Sequence, residues 1–115
     1  MENVRLYLGD CLDLLKTIPD GSVDLVLTDP PYGTMNTDGG RKIGIRGWDK
    51  CLPIDKMFDE ISRVLRPNGK VILFSQEPYT SKLITQTIPS VPFLYRAIWK
   101  KDSFGNCLGA KKKYG

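Results

Sequence analysis

Two periods govern the apolar residues of this chain. Val4-Arg5-Leu6-Tyr7-Leu8 alternates apolar and polar positions and stops at Gly9-Asp10, which predicts a short strand. Leu12, Leu14, Leu15 and Ile18 follow at helical spacing, with Asp10 placed to cap that helix and Pro19-Asp20-Gly21 to close it. Val23 to Thr28 is an apolar run of the kind expected for a central strand covered on both faces. Ile54, Met57, Phe58, Ile61, Val64 and Leu65 share one helical face, and Pro67-Asn68-Gly69 stops that helix. Val71 to Phe74 predicts a second buried strand, Tyr79 to Ile88 a helix after Pro78, and Phe93 to Lys100 a last strand.

Strands alternating with helices predict βαβ units, hence an α/β fold with a mostly parallel sheet and helices on its faces. At 115 residues the chain is one domain at most. Residues 33–53 form a long connection with five glycines and a lone Trp48, and loops of that length in compact domains are usually functional or mobile.

Composition removes several kinds of chemistry. The three cysteines, Cys11, Cys51 and Cys107, are widely spaced and include no C-x-x-C pair, so neither a disulfide framework nor a zinc site is expected. No histidine is present, which takes away the commonest general base and metal ligand. Chemistry here must use carboxylates, hydroxyls, backbone groups or a cofactor, and no metal is expected. No apolar run is long enough to span a membrane or head a secretory signal, so a cytoplasmic protein without a membrane partner is the expectation.

In open α/β sheets ligands bind at the carboxyl ends of strands, where this sequence places Gly9-Asp10-Cys11 and Asp29-Pro30-Pro31-Tyr32. Taken alone, Asp10 reads as a helix cap. The tetrapeptide is harder to dismiss: average residue usage makes it a roughly one-in-a-thousand event in a chain this short. Pro30 and Pro31 carry no amide hydrogen and have fixed φ, so the segment offers carbonyl acceptors in a rigid geometry beside the Asp29 carboxylate. An acceptor-rich site suits a flat substrate that donates hydrogens, such as an exocyclic amino group, and Tyr32 supplies a plane on which its ring can stack.

These residues bring the chain into likeness with a known family. It resembles the DNA amino-methyltransferases that use S-adenosylmethionine and carry a D-P-P-Y motif, in the class whose chain opens with that motif. The likeness runs through "GDCLDLL" (9–15), "VDLVLTDPPYGT" (23–34), "WDK" (48–50), "LRPNGKVILF" (65–74), "IWKK" (98–101) and "GNCLGAKKKYG" (105–115). It implies a Rossmann-like methyltransferase fold in which Asp29, Pro30, Pro31 and Tyr32 form the catalytic loop. Asp29 and the Pro30 carbonyl would accept from the target amino group of double-stranded DNA, and Tyr32 would stack on a flipped base. Asp10, Cys11 and Asp29 would lie on the cofactor side. The Asp that opens the motif implies adenine as the target over cytosine, and methylation of RNA guanine or protein glutamine is a weaker alternative.

The basic residues are concentrated late in the chain. Residues 1–35 hold two basic and six acidic groups, whereas residues 96–115 hold six basic and one acidic. Lys100, Lys101, Lys111, Lys112 and Lys113 are candidates for DNA phosphates or for a solvated tail. Trp48 is a candidate either to close over the crevice or to pack on the sheet.

One part of the family pattern is absent. The phenylalanine-x-glycine-x-glycine motif that the resemblance implies for the methionine end of the cofactor is missing, since Phe104-Gly105-Asn106-Cys107 lacks the second glycine. The expectation is therefore a partial catalytic domain over 1–115, the catalytic-loop half of an incomplete sheet. Such a piece would act with a complementing C-terminal half or pair with itself as a homodimer, its exposed strand edge inviting that pairing. The competing expectation is a catalytically silent remnant that keeps DNA or partner binding.

Overall fold

A computed structural model describes residues 3–33 and 50–103. Its elements are a first helix α1 (Cys11–Leu15), a strand β1 (Val23–Thr28), a helix α2 (Ile54–Val64), a strand β2 (Leu65–Leu73) and a helix α3 (Tyr79–Thr85). β1 and β2 pair in parallel and are joined through α2, so the described residues form an α/β unit with one βαβ crossover. No described helix is long and apolar enough to cross a membrane.

The core grows from one face of α2, as the spacing predicts. Ile54, Met57, Phe58, Ile61 and Val64 are all buried, because positions three and four apart lie on one stripe of a helix. α3 adds Tyr79, Thr80 and Leu83 to the interior, and the sheet offers Val26, Val71 and Leu73 to the same cluster. The helix cannot continue past Leu65, since Pro67 pushes the residue before it out of the helical region and lacks an amide.

β2 begins immediately at Leu65, earlier than the expected strand at Val71. Val23 faces Leu65 while Leu25 already faces Lys70, so Pro67-Asn68-Gly69 bulges out between the two pairs. Asn68 takes the left-handed conformation at φ 64°. A Cβ on Gly69 would lie 2.8 Å from the tip of the Leu65 side chain and 3.0 Å from the Arg66 carbonyl oxygen, so a larger residue there would have to push the bulge aside.

Side chains alternate across a strand, which leaves the other face of the sheet only partly covered among the described residues. Leu25, Leu27, Ile72 and Phe74 point there and are 48%, 57%, 52% and 38% exposed. This corrects the expectation that the Val23–Thr28 strand is covered on both faces. Val4–Leu8 and Phe93–Lys100, expected as strands, join no ladder among the described residues. An apolar strand pattern becomes a strand only where a neighbour takes up the amides, and neither segment pairs with a described strand. Leu6 and Leu8 are exposed, as are Tyr95, Ile98 and Trp99, whose indole rests against Phe74 at 5.8 Å between ring centres. α3 also ends earlier than expected, at Thr85, ahead of Pro89, and Ile88 bridges Val91 instead.

Arg63 fastens the short helix α1 to this framework. Its guanidinium donates to the Leu15 carbonyl at 2.7 Å and the Ile18 carbonyl at 2.8 Å, and to the carboxylates of Asp20 and Glu60 at 2.7 and 2.9 Å. Those carbonyls belong to the last turn of α1 and its exit, where a helix leaves acceptors unpaired. A five-residue helix does not hold itself together in water, so its persistence depends on this anchor. Arg63→Ala is expected to release α1 alone: hydrogen exchange at the Leu14 and Leu15 amides rises to near-unfolded rates while the α2 amides stay protected. Unchanged protection at Leu14 and Leu15 would show that Arg63 is not the anchor.

Candidate functional site

β1 ends at Thr28, and the next four residues are Asp29-Pro30-Pro31-Tyr32. The strand delivers this segment to the carboxyl edge of the sheet, and β2 delivers Ser75 and Gln76 beside it, because Phe74 N donates to the Thr28 carbonyl at 3.0 Å. Asp29 is exposed, Pro30 is buried, and Pro31 and Tyr32 are half-buried. The burial of Pro30 fixes the backbone, and the exposed carboxylate stands at its rim.

Within the loop, the Tyr32 hydroxyl donates to Asp29 Oδ1. The Tyr32 ring lies 5.5 Å from that of Tyr79, tilted by 33°. Its carbonyl accepts from the Cys51 thiol at 3.0 Å. Gly33 then turns the chain with φ 73°, and a Cβ there would lie 2.6 Å from Cys51 Sγ, so both backbone conformation and space require glycine. The exit of the loop is thus pinned on one side by Cys51 and on the other by the first residue of α3.

Burial pushes the Tyr32 hydroxyl up to about 12, and the hydrogen bond to the Asp29 carboxylate, its negative charge and the neighbouring Tyr79 push in the same direction. Burial also raises Tyr79, with a smaller contribution from Cys51. Folding therefore favours neutral Tyr32. Its contribution to stability is complete below the unfolded value of 10.0 and is lost as pH rises through about 12. In an alkaline titration followed by the ultraviolet absorbance of tyrosinate, one of the five tyrosines is expected to ionise near 12. Asp29→Asn should bring that step part of the way towards 10.0, because burial, the larger cause, remains. A step that does not move in the variant would dissociate Tyr32 from Asp29.

Tyr79 is fully buried, and its hydroxyl has no hydrogen-bond partner among the described residues. α3, which carries it, is set by Glu77, whose carboxylate accepts from the Ser81 amide at 3.3 Å and the Ser81 hydroxyl at 2.8 Å. Ser75 and Thr80 share a hydrogen bond at 2.8 Å beneath the same edge.

The other expected residues are not drawn into this cluster by any described contact. Asp10 caps α1, accepting from the Leu12 amide at 2.9 Å, and Cys11 is the exposed first residue of that helix. Lys100 and Lys101 are exposed in the segment that follows Trp99. Trp48 and Lys111, Lys112 and Lys113 lie outside the described residues. Cys51 and Tyr79 were not anticipated as members of the site. The position of Tyr79 just past the carboxyl end of the second strand was the available signal, because neighbouring strand ends meet at one edge.

Comparison with known proteins gives a consistent relationship. The chain is 36% identical over 111 residues to DNA adenine methyltransferase YhdJ of Escherichia coli (strain K12), covering 93% of this chain and 36% of that protein. It is 31% identical over 123 residues to the type II methyltransferase M.HinfI of Haemophilus influenzae, covering 89% and 34%. Against the type II methyltransferase M.BamHI of Bacillus amyloliquefaciens it is 28% identical over 117 residues, covering 96% and 24%. The chain thus spans a quarter to about a third of the length of these relatives. No protein-family model matches it.

Proposed function

Because the chain is related over nearly all of its own length to DNA methyltransferases, we propose that it carries the amino-group half of an S-adenosylmethionine-dependent DNA adenine methyltransferase site. The observation that supports this reading best is the Asp29 carboxylate, exposed at the end of β1 on a backbone fixed by two prolines, with an aromatic ring beside it.

In this reading Asp29 and the Pro30 carbonyl accept the two hydrogens of the adenine amino group. Holding both hydrogens withdraws the nitrogen lone pair from conjugation with the ring and turns it towards an electrophile. S-adenosylmethionine supplies that electrophile, a methyl group on a sulfonium sulfur. Methylation would make the amino nitrogen acidic, and Asp29 or water would take the proton it sheds. Tyr32 stacks on the base and keeps the nitrogen in line.

Asp10 and Cys11, at the start of α1, are the residues we assign to the nucleoside end of the cofactor, and no described residue is assigned to its methionine end. We place that end on polypeptide outside these 115 residues, a complementing half covering the half-exposed sheet face of Leu25, Leu27, Ile72 and Phe74. A second copy of the chain is the competing occupant, and sedimentation of the purified chain separates the two: a stable dimer favours the copy. Lys100 and Lys101 are proposed DNA phosphate contacts.

Transfer of radiolabelled methyl groups from S-adenosylmethionine to duplex DNA, RNA and protein tests the activity. N6-methyladenine in DNA, formed by the chain alone or with a complementing methyltransferase fragment, supports the reading. Absence of transfer, together with no calorimetric binding of the cofactor, would favour a silent remnant.

A further inference from the structure

Asp29 is not idle in this structure. The acceptor that the proposed reaction needs for a substrate amino group is held by the hydroxyl of Tyr32, three residues on. Beside that ring lies a hydroxyl in the opposite condition: Tyr79 is fully buried and its oxygen is unpaired. A buried polar group left without a partner costs stability, so it would gain by receiving a hydrogen bond.

We propose that Tyr79 is a positioning residue whose buried hydroxyl takes over the Tyr32 hydroxyl when a substrate amino group occupies Asp29. The inference rests on the reading of Asp29 as the amino-group acceptor and adds the device that clears it. In the resting arrangement Tyr32 satisfies Asp29 and Tyr79 is orphaned. In the substrate arrangement the base amino group satisfies Asp29, and the two tyrosine hydroxyls satisfy each other.

The exchange keeps the Tyr32 hydroxyl paired in both arrangements and gives the Tyr79 hydroxyl a partner only in the second. The rings are already neighbours, 5.5 Å apart between centres and tilted by 33°, so the exchange asks for a reorientation of the Tyr32 side chain within an existing contact. The loop backbone does not have to move, since the Tyr32 carbonyl stays on the Cys51 thiol. Proximity of the two phenols already acts on Tyr32, in the direction that keeps its proton in place for donation.

The test uses the full chain and two duplexes that differ at one position opposite an abasic site, one carrying adenine and the other purine, which lacks the amino group. Fluorescence anisotropy gives the ratio of the two affinities. Wild type is expected to prefer adenine, and Tyr79→Phe to lose roughly fivefold to tenfold of that preference, the worth of one buried hydrogen bond. The same variant should melt at the wild-type temperature or above it, because it discards an unpaired buried hydroxyl. In a Tyr32→Phe background, where substrate displaces no hydroxyl from Asp29, Tyr79→Phe should change the ratio by less than about twofold.

A purely structural Tyr79 predicts otherwise, and that outcome overturns the proposal: reduced melting temperature together with an unchanged adenine-to-purine ratio. An equal loss of preference from Tyr79→Phe with and without Tyr32 also overturns it. If wild type itself does not distinguish adenine from purine, the reading of Asp29 falls and takes this inference with it. If wild type distinguishes them and Tyr79→Phe does so equally well, only this inference falls.

Discussion

Phe58→Ala is expected to leave the chain without a cooperative unfolding transition. Phe58 is 3% exposed at the middle of the α2 face that faces the sheet, with Met57, Ile61, Tyr79 and Leu83 in the same cluster. Truncating a buried phenylalanine costs about 3–5 kcal/mol, from lost transfer energy and the cavity left behind. A small domain has only about 5–15 kcal/mol in total. Among the described residues a single helix face and one side of a two-stranded sheet supply most of the interior, so such a loss is a large fraction of what this core provides. Urea titration followed by helical circular dichroism measures the effect. Ile61→Val, a loss of one methylene in the same layer, should cost only about 1 kcal/mol and keep a sigmoidal transition. A wild-type midpoint for Phe58→Ala would mean that the stability of the chain lies outside the α2 interface.

Elements whose stability is local were legible in the sequence. The apolar stripe of α2 and its stop before Pro67 depend on residues within a few turns of one another, and the capping of α1 by Asp10 involves the Leu12 amide two residues on. The run from Val23 to Thr28 carried enough β-branched and leucine character to mark β1 correctly. Val4–Leu8 and Phe93–Lys100 have the same kind of pattern and still join no ladder among the described residues. A strand pattern states a willingness to pair and carries no information about whether a neighbour is there.

The candidate site divides along the same line. Asp29, Pro30, Pro31 and Tyr32 were legible as a group because their chemistry is contiguous. Asp29 and Tyr32 were assigned separate duties towards a substrate; in the structure they are bonded to each other. The contact of Tyr32 with Tyr79 joins residues on opposite sides of the crossover, and the register of β1 against β2 brings them together. Register is a property of the assembled sheet, so neither residue's neighbourhood announced it. Gly33 is similar: its φ of 73° could be suspected from a Pro-Pro-Tyr-Gly turn, but the approach of Cys51 Sγ could not.

If the chain, alone or with a complementing half, transfers methyl groups as proposed, Asp29→Ala is expected to reduce that transfer by about a hundredfold to a thousandfold, the order lost when one pre-positioned polar partner is removed from a reacting group. The variant should keep its fold. Asp29 is exposed and the described residues give it one hydrogen bond, to the Tyr32 hydroxyl, while the loop backbone is held independently by buried Pro30 and by Cys51 on the Tyr32 carbonyl. Methyl transfer and urea stability are therefore separable here, as they are not for Phe58. Asp29→Asn sharpens the point, because the amide keeps one acceptor oxygen and the shape of the side chain but loses the negative charge and the basic oxygen that could take the amino proton. If the carboxylate serves only to hold Tyr32, asparagine, which can still accept from a phenol, should retain most of the transfer. If its charge serves the substrate, asparagine should lose much of the transfer and fall between wild type and alanine. Comparable activity of Asp29→Asn and wild type would remove Asp29 from the reaction, whatever its bond to Tyr32 does for the loop.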